Sequence, residues 1–245
     1  MKPEIRVFQN REKLAIAVAK DWKEGAQQAT RSGNKFSVAL CGGSTPTVGY
    51  RWLAGEEFRQ SIPWSSVHLF WGDERCVPPE DMESNFRMAQ ELLIDHVSIP
   101  EKNINRIKGE ADPITEAVQY GEKMRGHFGS GEKGIPSFDW VILGLGLDGH
   151  TASIFPHANS SYRDLGLCAV TAHPESGQKR ITMTPKIFNQ ALRVTFLVTG
   201  KEKASIVKDI IGEDVCAENY PAKQVSPVGG ILQWWVDEEA YSALR

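Results

Sequence analysis

Short unbroken runs of apolar residues alternate along the chain with longer stretches in which apolar positions recur every three or four residues. Unbroken runs suit strands buried on both faces, so the alternation predicts repeated strand-helix units and a mostly parallel sheet covered by helices on both sides. EIRVF (4–8) predicts a first strand, and 11–32 a long helix whose Leu14, Ala17, Val18 and Trp22 face the sheet. FSVALC (36–41), VHLFWG (67–72), FDWVILGLG (138–146) and VTFLVTG (194–200) predict four core strands. Further helices are expected from near Pro46, from Asp112-Pro113, from near Lys201, and after Ser84, which caps a segment carrying Phe86, Ala89, Leu92 and Leu93. With no linker, repeat or low-complexity stretch, 1–245 is expected to be one α/β domain of three αβα layers.

Each of the four core strands runs at its C-terminal end into a polar cluster. An open α/β sheet places its ligand crevice outside those ends, so clusters distant in sequence can share one site. The turn Gly42-Gly43-Ser44-Thr45-Pro46 offers glycines that admit a ligand to the backbone, hydroxyls that donate, and a helix start that attracts an anion. It also reads as a plain turn with Ser44 or Thr45 capping, and it lacks the Walker spacing. Gly144-Leu145-Gly146-Leu147-Asp148-Gly149 matches the dinucleotide pattern formally. His150 follows at once, however, Pro156 interrupts the next helix, and no second strand with a terminal acid appears about 20 residues on. The glycines, Gly146 among them, are read instead as clearing space for a ligand beside Asp148 and His150.

His150 is the candidate general base, with Asp148 to orient its ring or balance its charge. His157 is separated from it by Pro156 and no third ligand is evident, so no metal is assigned. Asp73 and Arg75 follow the strand at 67–72, where Asp-Glu-Arg alone would read as a solvated turn. Arg180 and Lys203 are cations able to give charge-assisted hydrogen bonds to a phosphate.

Composition removes several alternatives. A net charge of −3 gives no general attraction to nucleic acid or acidic membranes, so an anionic ligand must be held by local groups. No secretory signal pattern and no membrane-spanning run is present, which implies a cytoplasmic protein. Cys41, Cys76, Cys168 and Cys216 are scattered without disulfide or zinc spacing and are expected to be reduced.

LCGGSTP (40–46), WGDERCVPPEDMESN (71–85), LGLGLDGHTASIFP (143–156), RITMT (180–184) and TGKEKA (199–204) together resemble the 6-phosphogluconolactonase family in order and spacing. VSPVGGILQWWVDEEAYSAL (225–244) is similar to that family's closing strand and helix. The resemblance implies a modified doubly wound fold shared with glucosamine-6-phosphate deaminases and ribose-5-phosphate isomerases. It implies hydrolysis of 6-phospho-D-glucono-1,5-lactone, the second step of the oxidative pentose phosphate pathway, by a monomer without cofactor or metal. It makes His150 the base that activates water and Arg75 a residue that orients the substrate or stabilises negative charge. Asp73 would line the sugar site, Gly43, Ser44 and Thr45 would meet the ligand, and Arg180 and Lys203 would hold its phosphate.

The sequence departs from the family pattern at Cys41, where serine is common, and around Lys186-Ile187-Phe188; both are read as packing variation. A rival is a deaminase or isomerase on the same fold. Such deaminases resemble D-G-H-I-A-F-N-E-P in the histidine block, and Ile154-Phe155 stands here at the Asn-Glu positions. A second rival, a silent phosphosugar-binding protein, would not need His150, Asp73 and Arg75 together.

Overall fold

The computed structural model describes residues 3–129, 134–156, 166–212 and 220–244, so His157 and Cys216 lie outside the described residues. The apolar runs become strands and the periodic stretches helices. In chain order they are β1 (Glu4–Phe8), α1 (Arg11–Arg31), β2 (Phe36–Leu40), α2 (Ser44–Ala54), α3 (Glu56–Arg59), β3 (Val67–Trp71), β4 (Asp73–Arg75) and α4 (Asn85–Leu92). Then follow β5 (Ile104–Asn105), α5 (Pro113–Phe128), β6 (Trp140–Leu143), β7 (Cys168–Ala172), β8 (Lys179–Met183), α6 (Pro185–Phe188), β9 (Arg193–Val198), α7 (Ala204–Ile211) and β10 (Ile231–Asp237).

Seven strands form the central sheet in the order β1-β10-β9-β6-β2-β3-β5, and every pairing in it is parallel. β2 and β6 are buried at every position, because helices cover both faces and leave no side for polar residues. Asn10 caps α1 by accepting Lys13 N–H at 3.0 Å, and the helix buries Leu14, Val18, Trp22 and Ala26 at helical spacing. Trp22 meets Phe36 edge-on at 6.0 Å and Trp140 at 6.1 Å, joining helix and sheet in one core. Ser84 and Asp112 cap α4 and α5 as their sequence positions predict.

At the N-terminal edge of the sheet, Ser37 and His68 are register partners. His127 of α5 places Nε2 2.8 Å from Ser37 Oγ, with its ring 4.7 Å from that of His68. Burial, with nearby Lys35, pulls both imidazoles down to about 4 from an ordinary 6.5.

Several boundaries differ from the sequence reading. The strand expected at 138–146 ends at Leu143, which releases Gly144-Leu145-Gly146 as loop; that expected at 194–200 ends at Val198. The helix expected near Pro46 begins at Ser44, because Gly43, at φ 104°, turns the chain directly into it. Asp73-Glu74-Arg75 is no solvated turn but β4, with Asp73 and Glu74 buried. It pairs with β8, and β8 with β7, in an antiparallel three-stranded sheet absent from the sequence reading. The closing helix is a single turn at Ser242–Leu244.

The strand order fixes where a ligand can enter. From β2 the sheet grows one way to β3 and β5 and the other way through β6 to β9 and β10. The topological switch therefore lies between β2 and β6, whose C-terminal ends release the Gly42–Pro46 turn and the Gly144–His150 loop.

Candidate active site

Beyond β6 the backbone closes on itself, with Gly146 N–H donating to His150 O at 2.8 Å and Gly149 N–H to Gly146 O at 3.2 Å. Gly149 holds φ 81°, and the turn brings Asp148 Oδ1 within 2.6 Å of His150 Nδ1. The same carboxylate oxygen accepts His150 N–H at 3.1 Å. Partial burial alone would push the Asp148 carboxyl up, but the hydrogen bonds and charge of His150 outweigh it and hold Asp148 below the usual carboxylate range. With Nδ1–H committed to Asp148, neutral His150 presents Nε2 as the acceptor, which is the arrangement a general base needs. Phe155 lies 5.0 Å away, ring to ring, and forms an apolar wall.

Across the switch point, Gly43 supplies no side-chain cap, so the first turn of α2 keeps N–H groups uncapped by any side chain among the described residues. Thr45 does not cap; its hydroxyl pairs with that of Thr199 at 2.9 Å, and Arg11 Nε donates to Thr199 Oγ1 at 3.0 Å. This corrects the capping alternative. Lys203, after β9, donates from Nζ to Leu145 O at 2.7 Å and so reaches the histidine loop. Burial draws its ammonium below the ordinary lysine value, while Glu202 and Asp148 oppose that drift.

The small sheet supplies the remaining charges. β4 and β8 are paired so that Arg75 stands directly opposite Arg180. Like charges in that relation repel, and the Nε of each is buried without a hydrogen-bond partner among the described residues. Arg75 Nη1 donates to Glu83 O. Burial, then the charge of Arg75, lowers Arg180 from its usual value. Asp73 accepts Ser153 Oγ–H at 2.6 Å, and Asn85 Nδ2 donates to Asp73 O at 2.9 Å. Glu74 holds β4 to the start of α4 by accepting the N–H groups of Arg75, Asn85 and Phe86, each at 2.8 Å.

These three groups open on one cleft of about 340 Å³. Gly42, Gly43, Ser44, Thr45, Asp73, Arg75, Gly146, His150, Arg180 and Lys203 all line it. Asp148 does not; it stands behind the ring it orients. Gly146 also has a different reason from the one expected. A Cβ there would collide with His150 Nδ1 and Asp148 Oδ1, so the glycine makes room for the pair as well as for a ligand. Asn85, Phe155, His173, Thr199 and Glu202 line the cleft too; of these the sequence reading weighed only Phe155, and that against the deaminase pattern. Asn85 directly follows the Ser84 cap, and Thr199 directly follows a core strand; those positions were the available signals.

A strand-end cleft that sets a histidine-carboxylate pair beside a helix start, two arginines and a lysine defines an α/β enzyme for small anionic substrates. The model of the family described as glucosamine-6-phosphate isomerases/6-phosphogluconolactonase matches residues 9–234, and the chain belongs to that family. A 6-phosphogluconolactonase of Haemophilus influenzae is 44% identical over 209 residues, covering 84% of this chain and 87% of the relative. One of Synechocystis is 35% identical over the full length of both. The solved 6-phosphogluconolactonase of Trypanosoma brucei superposes with a TM-score of 0.86 at 30% identity, covering 100% of this chain and 99% of the other.

Proposed function

We propose that the chain hydrolyses 6-phospho-D-glucono-1,5-lactone to 6-phospho-D-gluconate, with His150 as the base. The observation that carries this reading is His150, held from behind by Asp148, opening on the same cleft as Arg180 and Lys203. Family membership and the named lactonase relatives support the substrate.

Neutral His150 takes a proton through Nε2 from a water whose oxygen bonds to the lactone carbonyl carbon. The tetrahedral oxyanion is stabilised by loop N–H groups and by Arg75. As the carbonyl re-forms, the bond to the ring oxygen breaks and the imidazolium returns its proton to that leaving oxygen. Asp148 keeps the ring in the required tautomer and balances the transient positive charge. Arg180 and Lys203 grip the phosphate with Gly43, Ser44 and Thr45, while Asp73 meets sugar hydroxyls. Distant binding of this kind positions the reacting carbon, an effect worth several kcal/mol when the geometry is tight.

Phe155 argues against ammonia release from an amino sugar phosphate. The ring beside His150 has no proton to exchange, where the deaminase pattern carries an acid. Among the described residues no helix is long and apolar enough to cross a membrane. The described cysteines, Cys41, Cys76 and Cys168, are unpaired, which supports a reducing, cytoplasmic setting.

The lactone opens spontaneously, so the test is acid release from freshly generated substrate with the uncatalysed rate subtracted. His150→Ala should lower kcat by roughly 10²–10⁴ and leave phosphosugar binding largely intact. An unchanged kcat would remove His150 from the mechanism.

A further inference from the structure

The hairpin joining β7 to β8 gives the cleft one residue that the mechanism above leaves unused. His173 follows β7 directly and closes the turn: its N–H donates to Gln178 O at 2.9 Å, and its carbonyl accepts Gly177 N–H at 2.9 Å. In this register Thr171 lies opposite Arg180. His173, two positions beyond Thr171, therefore shares the face of the small sheet that carries Arg180, and Arg180 faces Arg75 on β4. All three line the cleft.

The ring of His173 is fixed in both orientation and tautomer. The N–H groups of Glu175 and Ser176 each point at Nδ1 from 3.3 Å, so Nδ1 accepts and a neutral ring carries its hydrogen on Nε2. Phe155 packs edge-to-face against the ring at 5.2 Å. Gln178 Nε2 donates to Glu83 Oε2 at 2.8 Å, tying the hairpin to the residue whose carbonyl receives Arg75.

We propose that His173 donates its Nε2–H to the phosphate of the substrate, beside Arg180, and thereby sets the preference for phosphorylated over unphosphorylated lactones. This deepens the lactonase reading and rests on it for the identity of the ligand. The choice of phosphate over a sugar hydroxyl follows from electrostatics. Arg75 and Arg180 already repel one another, with both Nε atoms unpartnered among the described residues. With Lys203 also in the cleft, a further cation would add to that repulsion, whereas a neutral donor adds a hydrogen bond to an anion without adding charge.

Two substitutions separate this role from the turn that His173 closes. His173→Asn puts a carbonyl oxygen where Nδ1 accepts and removes the Nε2 donor; His173→Gln returns an amide N–H near Nε2. With inorganic phosphate as the probe, titrated calorimetrically, His173→Asn should weaken binding about tenfold, and His173→Gln should recover most of it. On the phosphorylated lactone the loss should fall mainly on KM, and on glucono-1,5-lactone it should be small. Phosphate binding by His173→Asn equal to that of the parent would overturn the proposal, as would equal losses on the two lactones. Phosphate affinity is read without turnover. A chain that fails to hydrolyse the lactone yet loses phosphate with His173→Asn would therefore defeat the lactonase reading alone.

Discussion

Gly146 and His150 compete for the same space: a side chain on the first would occupy the position of the Nδ1 of the second and press on Asp148 Oδ1. Gly146→Ala should therefore displace the ring or break its bond to Asp148. A shift of about an ångström at a reacting group can cost on the order of 10²-fold. Steady-state kinetics should show that loss in kcat, with affinity for inorganic phosphate little changed. Retention of full kcat would mean that the ring need not sit where it is seen.

In the proposed mechanism Asp148, which bonds to His150 and does not line the cleft, acts through the imidazole rather than on substrate. Asp148→Asn can leave the imidazole in the wrong tautomer and should lower kcat by roughly 10–10³, with a smaller effect on KM. Separate kcat and KM values for Asp148→Asn decide the matter, because loss of a residue in direct contact with substrate would move KM as strongly.

Arg75 and Arg180 face one another across β4 and β8, and an anion bound between two cations relieves their repulsion. Arg180→Ala should raise KM for the phosphorylated lactone about 10–100-fold, the loss of one charge-assisted bond. Its unliganded melting temperature should not fall on account of the lost charge. Inorganic phosphate should raise the melting temperature of the parent and raise that of the variant much less. Equal thermal shifts would place the anion elsewhere.

His68 and His127 carry a pH dependence whose direction is set by burial. Both are held near 4 in the folded chain against an ordinary 6.5, so between those values the unfolded chain binds more protons. Stability should be fully present above about pH 6.5 and decline as pH falls toward 4. Denaturant midpoints across that window, compared with His68→Phe, test it: the variant should lose part of the slope, and an unaltered slope would assign the decline to other groups.

The sheet and the chemistry differed in how plainly the sequence carried them. β2, β3, β6 and β9 were legible because strands buried on both faces leave uninterrupted apolar runs. The small sheet was hidden, because Asp73-Glu74-Arg75 has the composition of a turn, and the burial of Glu74 depends on the N–H groups of Asn85 and Phe86, which it meets only in the folded chain. β5 has two residues and leaves no periodicity to detect. His150, Arg180 and Lys203 could be proposed from motif and position. That Arg180 stands opposite Arg75, and that His173 shares their face, are facts of strand register, which spacing along the chain does not encode.

The cleft has walls of two origins. His150 and Asp148 grow from the loop after β6 of the parallel sheet, whereas both arginines and His173 belong to the small antiparallel sheet and its hairpin turn, which overhang it. Reshaping the overhang could change which acidic group is gripped, and at what distance from the scissile ester, while the imidazole and its carboxylate partner keep their own foundation.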